Sequence, residues 1–324
     1  MTRLRSTLRQ EPMAAAAALF LALLLTAYFA IHPRGLTLAT ATIWSNQVFV
    51  LAMVAAGQAI VVFTRSLDLS VGAILALANC VAARLVDGTP EEIALGLAAT
   101  LGVGLLCGLM NGLAVVAGRV QPIIATLATG ACFTGVALWV MPIPGGSISA
   151  GLSDLMTFDL AGTVPTSLAL IVVCVGLLWG IPRLRKAGRA ILAAGSSADA
   201  ARNSGLDVDR ARVLAYVLAG GFAAIGGLFL GLQTLSGDAN VGLNYTLNSI
   251  AAVVIGGVAL TGGQGTVTGA VLGALILQTI GGLLFFTGVA PLAQPLVQGL
   301  VLAVAISAGG INLLRQTSRL EFHK

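Results

Sequence analysis

The stretch IWSNQVFVLAMVAAGQAIVVF, residues 43–63, runs for 21 residues without a charged side chain. A helix rises 1.5 Å per residue, so about 20 apolar residues cross the hydrocarbon core of a bilayer. The first cation after the stretch is Arg65. This pattern predicts a membrane-spanning helix that ends close to Arg65.

Nine further apolar stretches have a similar character, and charges lie mostly at the joints between them. They are residues 13–31, 69–86, 92–117, 122–141, 165–181, 213–233, 244–260, 266–286 and 289–312. Only 9% of the residues are charged and the mean hydropathy is +0.99, whereas soluble domains contain about 25% charged residues. The composition excludes a soluble protein. It predicts an all-α polytopic membrane protein with about ten transmembrane helices, residues 1–324 forming one domain.

The 17 Lys and Arg residues orient these stretches. If the N-terminus is cytoplasmic and the stretches alternate, the outer side receives only Arg34 and Arg84. The inner side receives Arg3, Arg5, Arg9, Arg65, Arg119, Arg183, Arg185, Lys186, Arg189, Arg202, Arg210, Arg212, Arg315, Arg319 and Lys324. Cytoplasmic loops carry such an excess. The distribution predicts an inner-membrane protein with both termini in the cytoplasm. The net charge of +5 is then expected to orient the protein and to contact the lipid bilayer, and no nucleic-acid partner is expected.

The sequence lacks the patterns of an energy-converting or catalytic centre. A phosphate-binding loop requires Gly-Lys-Ser/Thr, but neither Lys186 nor Lys324 follows a glycine. Asp68, His32 and His323 lie at joints or in the tail, which argues against a proton relay through the membrane. The four cysteines lie in different stretches without metal-ligand spacing. We expect a non-enzymatic chain without catalytic residues, metal or cofactor.

Two polar segments interrupt the apolar pattern. The outer one, residues 142–163, is rich in Gly, Ser and Asp and is suited to cap the outside of a pathway. The inner one, residues 183–212, carries seven of the inner cations. It is the only sizeable inner segment, so a cytoplasmic partner is expected to dock chiefly there.

Within the inner segment, SSADAARNSG at residues 196–205 predicts a short helix. Ser196 or Ser197 can cap its first amides, and Gly205 suits a left-handed stop. Ala200 and Ala201 bury little on so short a helix, so we expect it to require a partner for stability. The alternatives are a helix on the lipid surface or a plain connector.

The apolar stretches contain neutral amides, which suit a neutral hydroxylated cargo. They are Asn46, Gln47, Gln58, Asn79, Asn111, Asn244, Asn248 and Gln278. The candidates for lining a pathway are Asn79, Asn111, Asn244, Asn248 and Gln278. For each of them the alternative is a hydrogen bond between helices, a common use of amides in lipid.

Residues 64–73 align with residues 261–270, sharing Thr, Gly and Ala at matching positions. The match reflects either an internal repeat, common in transporters, or chance in a Gly- and Ala-rich background.

Several blocks, in this order and spacing, resemble the ribose/simple-sugar permeases of bacterial ATP-binding cassette (ABC) importers, with the pentose and galactofuranose permeases nearest in character. The blocks are LDLSVG at 67–72, QPIIATL at 121–127, AARNSGL at 200–206, AAVVIGG at 251–257 and TGGQGTVTG at 261–269. The resemblance covers about residues 45–310.

The resemblance implies two permease subunits, identical or paralogous, with cytoplasmic ATP-binding subunits and a periplasmic sugar-binding protein. It identifies the short inner helix as the coupling helix that enters a groove on the ATPase, with the candidate residues Ser197, Ala200, Ala201, Arg202, Asn203, Ser204 and Gly205. Two positions depart from the family pattern. Ser196-Ser197 replaces the usual Gly-Asn, and an Asn common in the ninth stretch is absent, which bears on sugar preference.

Two functions of different classes remain open from the sequence. The first is the non-catalytic permease of a sugar importer, driven by a separate ATPase. The second is a stand-alone carrier or facilitator for a small neutral solute, which needs no ATPase. A scaffold or sensor without transport is a third and weaker alternative.

Overall fold

The structure is a computed structural model that describes residues 12–180, 186–290, 293, 296–297 and 299–300. Its helices are Pro12–Ile31 (α1), Leu38–Phe63 (α2), Val71–Leu85 (α3), Pro90–Val116 (α4), Pro122–Val140 (α5), Ala150–Thr157 (α6), Thr166–Val175 (α7), Lys186–Ser196 (α8), Ala198–Asn203 (α9), Val208–Thr234 (α10), Gly242–Ile255 (α11) and Val267–Phe286 (α12). A π-helical turn, Gly176–Gly180, extends α7. Strands Asp159–Leu160 (β1) and Val164–Pro165 (β2) pair antiparallel.

The all-α class predicted from the sequence is confirmed. Helices cover most of every predicted apolar stretch except 289–312, which lies almost wholly outside the described residues. Five helices, α2, α4, α5, α10 and α12, are long and apolar enough to cross a membrane. The count of ten spans and the cytoplasmic position of both termini stay predictions, because residues 1–11 and 301–324 lie outside the described part.

Helices α3 and α11 are shorter than the stretches that predicted them. Predicted span 69–86 becomes a helix only at Val71, and predicted span 244–260 is helical from Gly242 to Ile255. Non-helical backbone is tolerated at membrane depth where protein covers it. Ser70 before α3 and Val258 after α11 meet that condition, since both are buried.

Helix α2 forms the centre of the molecule. Every residue from Val48 to Phe63 is buried, because α10, α12, α11 and α7 surround the helix. Its polar anchor is Trp44, whose indole N–H donates to the Thr279 hydroxyl on α12 at 3.0 Å. A helix that is apolar all round fits such a fully enclosed position.

Helix α10 packs closely on α4 through glycines. Gly104, Gly108 and Gly112, spaced four residues apart, face α10, where Gly104 meets Gly220 and Gly108 meets the Tyr216 carbonyl. Such small residues allow helix backbones to approach one another in lipid. Gly269 and Gly273 of α12, also four residues apart, likewise face the end of α11.

The joints fall into two groups at opposite ends of the helices. In the predicted outer group, Gly145 and Gly237 exchange two backbone hydrogen bonds of 3.0 and 2.8 Å. In the predicted inner group, the Gly263 N–H donates to the Phe63 carbonyl at 3.1 Å. Joints that the alternating topology predicts on the same side therefore lie together. The two aligned segments, 64–73 and 261–270, both run from an inner loop into a helix.

Candidate functional site

The predicted inner helix forms as α9 and is capped at both ends. The Ser197 hydroxyl accepts from the Ala200 N–H at 3.3 Å, so Ser197 is the N-cap and Ser196 ends the preceding helix. At the other end, Gly205 has φ +74° and its N–H donates to the Arg202 carbonyl. The Leu206 N–H donates to the Ala201 carbonyl at 3.0 Å. These two bonds complete a Schellman stop, in which glycine suits the left-handed position.

One face of α9 packs on the chain itself. Ala201 is only 4% exposed and lies against Ala194 and Val208, with Leu206 beside them. Ala201 is therefore more buried than the sequence predicted, whereas Ala200 is exposed as expected. Helix α8 was not predicted, because its three charged or polar residues among small ones give a weak signal; it supplies Ala194 to this contact.

The other face of α9 is open. The residues on it are Asp199, Ala200, Arg202, Asn203 and Ser204, all of which are exposed. Arg202 pairs with Asp209 at 3.1 Å and lies 3.9 Å from Asp199. Exposed pairs of this kind contribute about 0–1 kcal/mol, so they leave the guanidinium available for a partner.

The base of the inner segment is joined to the end of α2 by backbone contacts. The Arg65 guanidinium donates to the Ser196 carbonyl at 3.0 Å. Gly195 packs so closely on the Phe63 carbonyl that a Cβ at this position would collide with it. The Gly263 N–H reaches the same carbonyl, so the end of α8 and the loop after α11 both meet the end of α2 at Phe63. Sequence reasoning missed this junction, because its partners are more than 130 residues apart.

A cleft of about 420 Å³ opens between α3, α5 and the start of α11. Its lining contains five Ala or Gly residues and six larger ones, namely Leu69, Leu127, Leu243, Thr134, Asn240 and Thr246. None of the lining residues carries a charge. At its base, the Gly72 N–H donates to the Thr246 hydroxyl at 3.1 Å. The cleft can therefore offer a solute hydroxyl and amide groups among apolar side chains.

The five predicted pathway amides do not line this cleft. Asn79 and Asn111 are buried and bonded between helices, which is the alternative use considered above. Asn244 is exposed on α11 beside the cleft residue Leu243, and Asn248 is half-buried one turn further along. Gln278 is half-buried on α12.

Asp68, placed by the sequence at a joint, is completely buried beside the cleft. Its Oδ1 accepts from the Ser70 hydroxyl at 2.6 Å and the Ser70 N–H at 2.8 Å. The Asn111 amide donates to the Ser70 hydroxyl at 2.7 Å, and Asn111 also accepts from Thr129 on α5. Oδ2 of Asp68 has no hydrogen-bond partner among the described residues.

Burial raises the pKa of Asp68, because it penalises the charged carboxylate, and the two hydrogen bonds from Ser70 oppose this shift. The contact with Asn111 on a distant helix, which encloses the carboxyl, left no sign in the sequence.

At the predicted outer end, the segment 142–163 and the joint 234–243 are bound together. Besides the Gly145–Gly237 pair, the Ser153 hydroxyl donates to the Leu232 carbonyl at 2.6 Å. The Ser147 hydroxyl donates to Asp87 at 2.7 Å. The segment 142–163 is thus a folded segment at the predicted outer end, held by the end of α10 and the residues after it.

Known proteins resemble the chain over most of its length. A family model described as branched-chain amino acid transport system, permease component, matches residues 40–306. The ribose import permease of Bacillus subtilis (strain 168) is 35% identical over 267 residues, 81% of each chain. The ribose import permease of Escherichia coli (strain K12) is 33% identical over 269 residues, 81% of this chain and 82% of that one. The galactofuranose transporter permease of the same strain is 35% identical over 260 residues, 79% and 75% of the two chains. No solved structure matches the chain.

Proposed function

Because the chain belongs to the family of branched-chain amino acid transport system permease components, with sugar import permeases among its relatives, we propose that it forms the translocation path of a sugar importer. It is a multi-pass protein of the inner membrane and a sugar ABC importer permease. The cargo is a neutral sugar of the ribose, pentose or galactofuranose kind, and a separate ATPase drives its transport.

The observation that carries this proposal is the uncharged cleft. A neutral sugar presents hydroxyls on an apolar ring frame, and Thr134, Asn240 and Thr246 present neutral hydrogen-bonding groups among Leu, Ala and Gly. A buried polar group that stays unpaired costs about 1–3 kcal/mol. A charged solute would therefore lose hydration in this cleft without gaining a counter-charge, whereas a sugar would exchange one set of neutral hydrogen bonds for another.

The open face of α9 supports the ATPase-coupling role. Its small and polar residues, Ala200 and Asn203 among them, suit insertion into a groove, and its buried Ala201 fixes the helix on the membrane part. On the outer end, the segment 142–163 and the joint 234–243 form one continuous surface for a binding protein. These partners follow from the family, and the docking sites are part of the proposal.

The proposal includes a second permease subunit, identical or paralogous. Asn244 and Asn248 lie on an exposed or half-buried face of α11 that also carries Leu243 and Leu247. Exposed amides are costly against lipid, so this face is better suited to a partner subunit or to the pathway. Residues 1–324 then act as one permease domain with residues 183–212 as its coupling loop.

Reconstitution into vesicles tests the function. Permease, ATPase and binding protein together should take up a dilute ribose-type sugar only with ATP, and omission of the binding protein should abolish uptake. Purification from the host should bring the ATPase with the chain. Uptake by the purified chain alone without ATP would support the stand-alone carrier and overturn the proposal.

A further inference from the structure

The loop Thr64–Ser70, between α2 and α3, touches both the coupling segment and the cleft. At its start, Arg65 donates to the Ser196 carbonyl at the end of α8. Four residues later, Leu69 lines the cleft. A chain of this length spans at most about 3.5 Å per residue, so the loop has little slack with which to absorb movement at one end.

The start of the loop is held in a strained conformation. Arg65 has φ 61°, a left-handed backbone that is uncommon for residues other than glycine. Gly262 lies directly against Arg65, and a side chain at Gly262 would collide with it. Such conformations persist where surrounding contacts over-determine them. Here the contacts come from the coupling segment and from the loop after α11.

The end of the loop is fixed to the walls of the cleft. The Leu69 N–H donates to the Thr126 hydroxyl on α5 at 3.0 Å. The Ser70 hydroxyl donates a hydrogen bond to Asp68 and accepts one from Asn111 on α4. Asp68 is fully buried, so the middle of the loop is anchored inside the protein and is not free to move independently in water.

We propose that the loop Thr64–Ser70 transmits movement of the coupling segment, residues 195–205, to the cleft, and that Arg65 is the positioning residue that joins them. The inference rests on the proposed function. Displacement of α9 by an ATPase would pull on the Ser196 carbonyl and hence on Arg65. Because Leu69 is bonded to α5, the same displacement would shift α5 against α3 and change the width of the cleft.

The test compares Arg65→Asn with Arg119→Asn in the reconstituted importer. Asn tolerates the left-handed backbone better than most residues, so the first change removes the guanidinium while preserving the local fold. Arg119 is a matched control, since it is also an exposed arginine in a left-handed conformation, φ 52°, at a predicted inner joint. Its side chain makes no hydrogen bond to another described residue.

Two measurements report transmission. The first is sugar uptake per ATP hydrolysed, which we expect to fall about tenfold in Arg65→Asn, within the range typical of coupling between sites. The second is thiol labelling of a cysteine replacing the exposed Leu243, in a background without the four native cysteines. Its rate should change with ATP in the parent and in Arg119→Asn, but not in Arg65→Asn.

Equal uptake per ATP and equal ATP-dependent labelling in Arg65→Asn and the parent would overturn the inference. If Arg65→Asn fails to fold, as judged by gel filtration, Arg65→Lys replaces it. Lysine keeps the charge but lacks the planar fork, so a smaller loss in the same direction is expected, and no loss overturns the inference. A parent that neither binds an ATPase nor imports sugar overturns the proposed function, and the transmission role with it.

Discussion

The side-chain oxygen of Asn79 accepts a hydrogen bond from the backbone N–H of Asp238 at 2.8 Å. The same amide donates to the Gly227 carbonyl at 3.2 Å. One buried side chain thus joins α3 both to α10 and to the joint that follows α10. A residue that the sequence offered for the pathway serves in the structure to hold two helices together at the outer end.

Asn79→Ala is expected to lower stability. It removes two buried hydrogen bonds and leaves their partners unpaired, a cost of about 1–3 kcal/mol. Thermal unfolding of the detergent-solubilised protein measures the effect, with the exposed Asn244→Ala as the control. An unchanged melting temperature together with weaker sugar uptake would instead indicate that Asn79 lines the pathway.

Gln58→Met is expected to raise the melting temperature. Gln58 is fully buried on α2, and neither its Oε1 nor its Nε2 has a partner among the described residues. Methionine has a similar length, fills irregular space and carries no group that requires a partner. A stable variant with impaired uptake would show that the amide serves transport.

Gly108→Ala is expected to weaken the packing of α4 on α10. A Cβ at this position would collide with the Tyr216 carbonyl, and overpacking costs about 1–3 kcal/mol. Gly102→Ala is the matched control on the same helix, since nothing lies within 4 Å of a Cβ there. Equal melting temperatures for the two variants would contradict the close approach of these helices.

Ala200→Trp and Ala201→Trp are expected to fail in different ways. Ala200 is exposed, so the added ring should block the ATPase and abolish uptake while the melting temperature stays unchanged. Ala201 is buried against Ala194 and Val208, so the same change should lower stability first. Normal ATPase binding and normal sugar uptake in Ala200→Trp would show that α9 is not part of the interface with the ATPase.

The topology predicts opposite labelling of two cysteines in a background without the native four. Asp154 is an exposed residue of the segment 142–163 and Asp199 an exposed residue of α9, so each replacement is accessible to a reagent. An impermeant maleimide added to intact cells should modify the cysteine at 154 and spare the one at 199. Labelling of both from outside would refute the alternating map.

Hydropathy was enough to locate the five helices that are long and apolar enough to cross a membrane, because within lipid a helix satisfies all the backbone polar groups of a single apolar run. The caps of α9 could also be predicted from the sequence, because Ser197 and Gly205 act through hydrogen bonds to residues three or four positions away. Helix length and short-range hydrogen bonds can therefore be predicted from the order of the residues.

Contacts between segments that are distant in the chain could not be predicted from the sequence. The burial of Asp68 depends on Asn111, 43 positions along the chain, and the junction at Phe63 depends on Gly195 and Gly263. The cleft was missed for the same reason, since its polar residues Asn240 and Thr246 meet α3 and α5 only after folding. No pattern within a single stretch encodes which stretches become neighbours.

The enclosure of residues 48–63 of α2 sets an order of events during synthesis. Gly57 of α2 packs on Ala219 and Phe222 of α10, but α10 begins about 145 residues after α2 ends. At about 5–20 residues per second, a ribosome requires on the order of ten seconds to reach it. During that interval α2 resides in the membrane without α10. The face of α2 that is buried in the finished protein is therefore not yet covered by this partner.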